Sequence, residues 1–204
     1  MLSRLRDGVG RLFAPLARGL LRIGVSPDAV TITGTLGVMV AALWLFPLGY
    51  LFAGTMVCWF FAMSDAVDGL MARMSGRSGP WGAFLDSTLD RFADAAIFTG
   101  ILLWLVGRGD DPLGAGFALA CLVLGSIVPY ARARAEGLGM TASVGIAERA
   151  DRLTAVLTAA GLVGLGVTPA LLTVVLGLLA VASAVTVVQR MVTVRRQSRP
   201  AVAG

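Results

Sequence analysis

Apolar positions run in six stretches along the chain, at Ala29–Leu48, Tyr50–Met63, Ala95–Val106, Leu113–Tyr130, Leu153–Val167 and Ala170–Val188. Turn-forming segments separate them: Pro47-Leu48-Gly49, Gly76 to Pro80, Gly107 to Pro112 and Gly166-Val167-Thr168-Pro169. A helix needs about 20 residues to cross a bilayer. Tyr50–Met63 and Ala95–Val106 reach that length only by including the aspartate-bearing segments beside them. The pattern therefore predicts an all-α integral membrane protein of six transmembrane helices. The second and third carry Asp65, Asp68, Asp86 and Asp90 within their own helices, near one membrane face.

Ahead of the first stretch, Met1–Arg22 interleaves Arg4, Arg6, Arg11, Arg18 and Arg22 with Leu2, Leu5, Val9, Leu12, Phe13, Leu16, Leu20 and Leu21. That spacing predicts a basic amphipathic helix lying on an anionic leaflet. No apolar core with a small-residue cleavage site opens the chain, so no removable signal peptide is expected. The expected organisation is an amphipathic juxtamembrane helix over 1–25, a six-helix domain over 26–196 and a tail over 197–204.

Composition agrees with a bilayer as the solvent. Of 204 residues, 57% are hydrophobic and 14% charged, and the mean hydropathy is +0.84; a water-soluble domain carries about 25% charged residues. The 17 basic residues are all arginine, and there is no histidine. A carboxylate is then the expected general base, since the usual neutral-pH base is missing. Counted over six spans, every arginine except Arg91 and Arg108 falls on one side, which makes that side cytoplasmic, together with both termini and the aspartates. Cys58 and Cys121 lack metal-ligand spacing and read as packing residues.

The chemistry concentrates in one segment, DAVDGLMARMSGRSGPWGAFLDSTLD, from Asp65 to Asp90. Asp65 and Asp68 stand at i and i+3, Asp86 and Asp90 at i and i+4, so each pair shares a helix face. The short turn between them predicts antiparallel neighbouring helices whose aspartates converge. Ionised carboxylates repel by roughly 4 kcal/mol per pair at about 4 Å and an effective dielectric near 20, so cations must accompany them. Oxygen ligands without His or Cys suit Mg²⁺ or Mn²⁺, and two ions sharing carboxylates suit phosphoryl transfer. Gly69 and Gly82 leave room for a nucleotide, or alternatively for close helix packing. Arg73, one turn beyond Gly69, is placed to clamp a diphosphate. A purely structural cluster paired with Arg73 and Arg91 would leave two carboxylates uncompensated near lipid, at high cost.

These residues match every fixed position of DxxDGxxAR(x8)GxxxDxxxD, so the chain resembles the CDP-alcohol phosphotransferase family. Ser26-Pro27-Asp28 with Thr31 is similar to the family's Ser-Pro-Asn-x-x-Thr segment, with Asp28 where asparagine is common. The resemblance implies six transmembrane helices around a polar cavity open to the cytoplasm. It implies metal binding by Asp65, Asp68, Asp86 and Asp90, with Asp90 also the catalytic base. The metal would be two Mg²⁺ ions, with Mn²⁺ possible. Pro27, Asp28, Thr31, Gly69, Ala72, Arg73, Ser78 and Gly82 would surround the CDP-lipid. CDP-diacylglycerol would lose CMP while its phosphatidyl group passes to an alcohol. The expected setting is the bacterial plasma membrane, the expected assembly a homodimer among membrane lipids, with no nucleic-acid partner.

The alcohol is read from the arginines beyond the fourth span. Arg132, Arg134, Arg152 and Arg190 sit at helix ends on the cytoplasmic side and could form an anion pocket for an alcohol phosphate. They could equally be headgroup anchors, the reading given to Arg195, Arg196 and Arg199. The stretches RARAEGLG, VGIAERADRL and LDSTLDRFADA resemble the actinobacterial branch of the family that uses inositol 1-phosphate. The glycerol 3-phosphate branch, phosphatidylglycerophosphate synthases, usually reads LDPxADK where this chain has Leu85-Asp-Ser-Thr-Leu-Asp90-Arg91. A divalent-cation transporter would spread acidic residues through the membrane depth on several helices. Here only Asp94 lies deeper than the cluster, and the last three stretches contain no acid.

Overall fold

The computed structural model describes residues 13–76, 79–146 and 148–198. Among them the structure is all helical: α1 (described over 13–22), α2 (Pro27–Leu45), α3 (Leu51–Ala62), α4 (Ser64–Met74), α5 (Pro80–Val106), α6 (Pro112–Glu136), α7 (Arg149–Gly164) and α8 (Ala170–Gln197). Helix starts follow their sequence signals. Ser26 accepts a hydrogen bond from Ala29 N–H at 3.2 Å with Pro27 in the first turn of α2. Asp111 accepts from Gly114 N–H at 2.8 Å ahead of Pro112 at the start of α6. These bonds and the Thr173 hydroxyl hold the Asp111 carboxyl below the usual carboxylate range.

Met63 joins α3 to α4 in helical conformation, so Leu51–Met74 is one apolar rod of 24 residues with Asp65 and Asp68 in its second half. By length and composition four helices can cross a membrane: Pro27–Leu45, Leu51–Met74, Pro112–Glu136 and Ala170–Gln197. The other two expected spans differ for physical reasons. α5 is long enough at 27 residues, but Asp86, Asp90, Arg91 and Asp94 interrupt it from its start to its middle. α7 has 16 residues, about 24 Å at 1.5 Å per residue, short of a roughly 30 Å hydrocarbon core.

Neighbour relations close into a ring, α2–α5–α6–α8–α7–α3 and back to α2, with α4 against α2. The core inside the ring contains Phe46, Leu51, Ile97, Phe98, Ile101, Leu105, Leu157, Leu172 and Leu176. Cys58 and Cys121 are free and buried within it, as packing residues would be. Ala17 of α1 packs on Val67 and Met71 of α4 while Arg18 and Arg22 remain exposed, an amphipathic arrangement over the described part of that helix. One expectation needs correction. The aspartate-bearing helices were predicted to be direct neighbours, yet α2 packs against both α4 and α5, and the carboxylates meet across a gap. A gap is what mutual carboxylate repulsion and room for substrate require.

The α2–α5 contact is a close one. A Cβ on Gly100 would lie 2.2 Å from the Ala42 carbonyl oxygen, whereas one on Gly116 of α6 would meet nothing within 4 Å. Gly100→Ala should lower stability by about 1–3 kcal/mol through backbone overpacking. Gly116→Ala should be neutral or slightly stabilising. Thermal melts of both variants in the same detergent check the contrast.

Candidate active site

The gap between α2, α4 and α5 is a cavity of about 380 Å³ lined by Pro27, Asp28, Thr31, Asp65, Asp68, Gly69, Ala72, Arg73, Gly79, Gly82, Ala83, Asp86, Asp90 and Arg149. Every residue expected around a CDP-lipid lies on it except Ser78, which is outside the described residues. The glycines settle between their two readings. A Cβ on Gly82 would meet nothing within 4 Å, and one on Gly69 only the Arg73 guanidinium at 3.5 Å. Neither permits a close helix crossing; both open the cavity wall.

One carboxylate oxygen from each of Asp65, Asp86 and Asp90 falls within 4.8 Å of the other two. Oxygens sharing one divalent ion lie within about twice a bond length of 2.0–2.6 Å from each other, so these three fit a hard cation with little movement. Asp68 lines the same cavity but stands apart from that trio. It is buried and accepts a 2.6 Å hydrogen bond from the Thr31 hydroxyl, which also stands 3.2 Å from the Pro27 carbonyl. Thr31 thus ties the start of α2 to α4. Asp28 accepts from Trp81 Nε1 at 3.0 Å, tying the same turn to α5.

The four arginines expected around an acceptor phosphate do not line this cavity. Arg132 pairs with Glu136 on its own helix at 2.8 Å, and Arg134 is exposed. Arg152 is 1% exposed and lies 3.8 Å from Asp94. Arg190 is buried, donating from Nε to the Val144 carbonyl at 2.9 Å and from a terminal nitrogen to the Val128 carbonyl. It fastens the α6–α7 connection at Val144 against α6 and α8, helped by Gln197 on Thr141 and Thr186 on Ile146. Sequence reasoning missed Arg149, which does line the cavity. Its Nε donates to Asp94 at 2.9 Å, one terminal nitrogen sits 2.9 Å from Asp90 and the other 3.8 Å from Asp65. A signal was present: Arg149 opens α7, and a cation at a helix N-terminus is disfavoured unless carboxylates stand nearby.

A profile of CDP-alcohol phosphatidyltransferases matches residues 24–147. The phosphatidylinositol phosphate synthase of Streptomyces avermitilis is 50% identical over 94% of this chain and 81% of its own length. That of Mycobacterium tuberculosis is 46% identical over 93% and 88%. A crystal structure of the M. tuberculosis synthase with CDP-DAG bound superposes with a TM-score of 0.88 at 44% identity, covering 95% of this chain and 98% of that one. A second, in complex with manganese and citrate, gives 0.86 at 45% identity over 94% and 92%. The profile spans most of the chain and takes in every aspartate of the cavity, and the chain belongs to the CDP-alcohol phosphatidyltransferase family.

Proposed function

We propose that the chain transfers the phosphatidyl group of CDP-diacylglycerol to inositol 1-phosphate, releasing CMP and forming phosphatidylinositol phosphate. The observation that carries the reading is the acidic cavity walled by open glycines, in a chain 44% identical to a synthase crystallised with CDP-DAG. Pro27, Asp28, Thr31, Gly69, Ala72, Arg73, Ser78 and Gly82 are assigned to the CDP-lipid. Arg73, exposed beside Gly69, faces its diphosphate. Asp65, Asp68, Asp86 and Asp90 are assigned to two Mg²⁺ ions, with Mn²⁺ as the alternative; the ions would neutralise the diphosphate and the charge that develops on CMP. Asp90 accepts the proton of the attacking hydroxyl as its oxygen bonds to the lipid-bearing phosphorus and the bond to CMP breaks. Thr31 fixes the rotamer of Asp68.

The same reading places six helices of the 26–196 domain across the bacterial plasma membrane, with 1–25 as a juxtamembrane helix and 197–204 as a tail. The cavity and both termini are cytoplasmic and the protein is a homodimer. The ring of α2, α3, α5, α6, α7 and α8 supports six spans, with α4 extending α3 and the short α7 supported by its neighbours α3 and α8. Of the four arginines expected around the acceptor's phosphate, Arg132 and Arg134 are assigned to contact it. They are the exposed pair able to touch it, and the buried Arg152 and Arg190 shape the α6–α7–α8 ends.

CMP release from CDP-diacylglycerol should be fastest with inositol 1-phosphate when glycerol 3-phosphate, serine and free inositol are offered in parallel. Equal or faster turnover of glycerol 3-phosphate would reassign the acceptor. Asp90→Asn should lose about 10²–10⁴ in kcat while CDP-diacylglycerol binding, read by equilibrium titration, is retained. Near-normal turnover would exclude Asp90 as the base.

Replacing Arg132 or Arg134 with glutamine should raise the acceptor's KM by about 10–150-fold, the equivalent of one charge-assisted contact at roughly 1.5–3 kcal/mol. The KM for CDP-diacylglycerol should change much less. Arg195→Gln should alter neither, and steady-state kinetics with each substrate varied in turn distinguishes a pocket from a general basic surface.

A further inference from the structure

Three cavity-side carboxylates converge on one guanidinium. Arg149 stands 2.9 Å from Asp90, 2.9 Å from Asp94 and 3.8 Å from Asp65. Asp65 and Asp90 belong to the trio whose oxygens lie within 4.8 Å; Asp94, buried one turn deeper on α5, does not. We infer that Arg149 is a positioning residue that acts as a built-in counter-cation. It holds the carboxylates of α4 and α5 together from α7, and gives up Asp65 and Asp90 in favour of a divalent ion while keeping its grip on Asp94.

The geometry allows such an exchange without unfolding the site. Nε serves Asp94, whereas the terminal nitrogens serve Asp90 and Asp65. Because Nε–H and the terminal nitrogens share one rigid plane, a concerted change of the side-chain torsions that pivots this plane at Nε draws the terminal nitrogens off Asp90 and Asp65 while Nε stays beside Asp94. Asp94 also has Arg91 at 3.9 Å and Arg152 at 3.8 Å, so it stays compensated in either arrangement. An oxygen bound to a divalent cation and the same oxygen held by a guanidinium place two positive charges a few ångströms apart, and these repel. Arg149 and the ion therefore compete for Asp65 and Asp90, and by linkage whatever removes one favours the other.

The competing view, an ion pair that merely braces the site, predicts the opposite sign: without Arg149 the ligands would loosen and the ion would bind less well. The inference rests on the proposed metal role of the aspartates, and the test separates the two. Mn²⁺ binding to purified wild-type, Arg149→Gln and Arg149→Lys protein is titrated by electron paramagnetic resonance without substrates, alongside thermal melts in chelator and in saturating Mn²⁺. Arg149→Gln should bind Mn²⁺ about tenfold more tightly, the equivalent of one surrendered charge-assisted contact, and Arg149→Lys should fall between it and wild type. Arg149→Gln should melt below wild type in chelator, with the gap narrowing in saturating Mn²⁺. Unchanged or weaker Mn²⁺ binding by Arg149→Gln, with wild type binding normally, overturns the counter-cation role alone. If the glutamine variant does not fold, Arg149→Lys binding no tighter than wild type overturns it. Wild type failing to bind Mn²⁺ overturns the metal assignment and the inference with it.

Discussion

Like charge held at short range is the constraint around which this protein is organised. Asp65, Asp86 and Asp90 bring carboxylate oxygens within 4.8 Å of one another, where each pair repels by about 3 kcal/mol at an effective dielectric near 20. The apolar ring beside them gives no solvent to screen that charge. Asp65, Asp68, Asp90 and Asp94 each have a donor or a cation beside them. Thr31 donates to Asp68, Arg149 spans Asp65, Asp90 and Asp94, and Arg91 and Arg152 stand against Asp94.

The fold supplies the distances. α2 packs against both aspartate-bearing helices, tightly on α5 where Gly100 meets the Ala42 carbonyl, and linked to α4 through Thr31. It acts as a support that is rigid in the core and open at the polar end. The glycines divide along the same line: Gly100 fills a contact, Gly69 and Gly82 clear a wall. One residue type serves both purposes because removing a side chain brings backbones together in the core and admits a ligand at the surface.

This division explains what the sequence could and could not say. The six apolar stretches correspond to the six ring helices, because each of these helices carries an apolar face that packs into the shared core. The aspartate spacing located the cavity, since i, i+3 and i, i+4 relations are local. Pairwise helix packing was not legible: the short turn between α4 and α5 suggested that they pack on each other, whereas each packs chiefly on α2 or, for α5, also on α6, and their aspartates converge across the cavity. Arginine roles were the least legible of all. Arg132, Arg152 and Arg190 read as basic residues at helix ends and Arg149 was not singled out, yet Arg132 pairs along its own helix, Arg149 lines the cavity, Arg152 is buried beside Asp94 and Arg190 caps backbone carbonyls. Which carboxylate or carbonyl meets each guanidinium depends on helix rotation, which charge patterning does not encode.

Charge balance gives the arrangement its logic under the proposed reading. Five carboxylates, those of Asp65, Asp68, Asp86, Asp90 and Asp94, are gathered on α4 and α5, and among the described residues Arg91, Arg149 and Arg152 are the arginines paired against them. Two negative charges remain. A single divalent ion would bring the site to neutrality, and a second would leave it with the two positive charges that a nucleotide-linked diphosphate matches. A site with another arginine in place of the second ion would hold the diphosphate less strongly, while one with no arginines would hold its carboxylates apart until both ions arrived. Three arginines keep the cluster assembled yet still short of cations, so that the ions, and through them the lipid nucleotide, have something to neutralise.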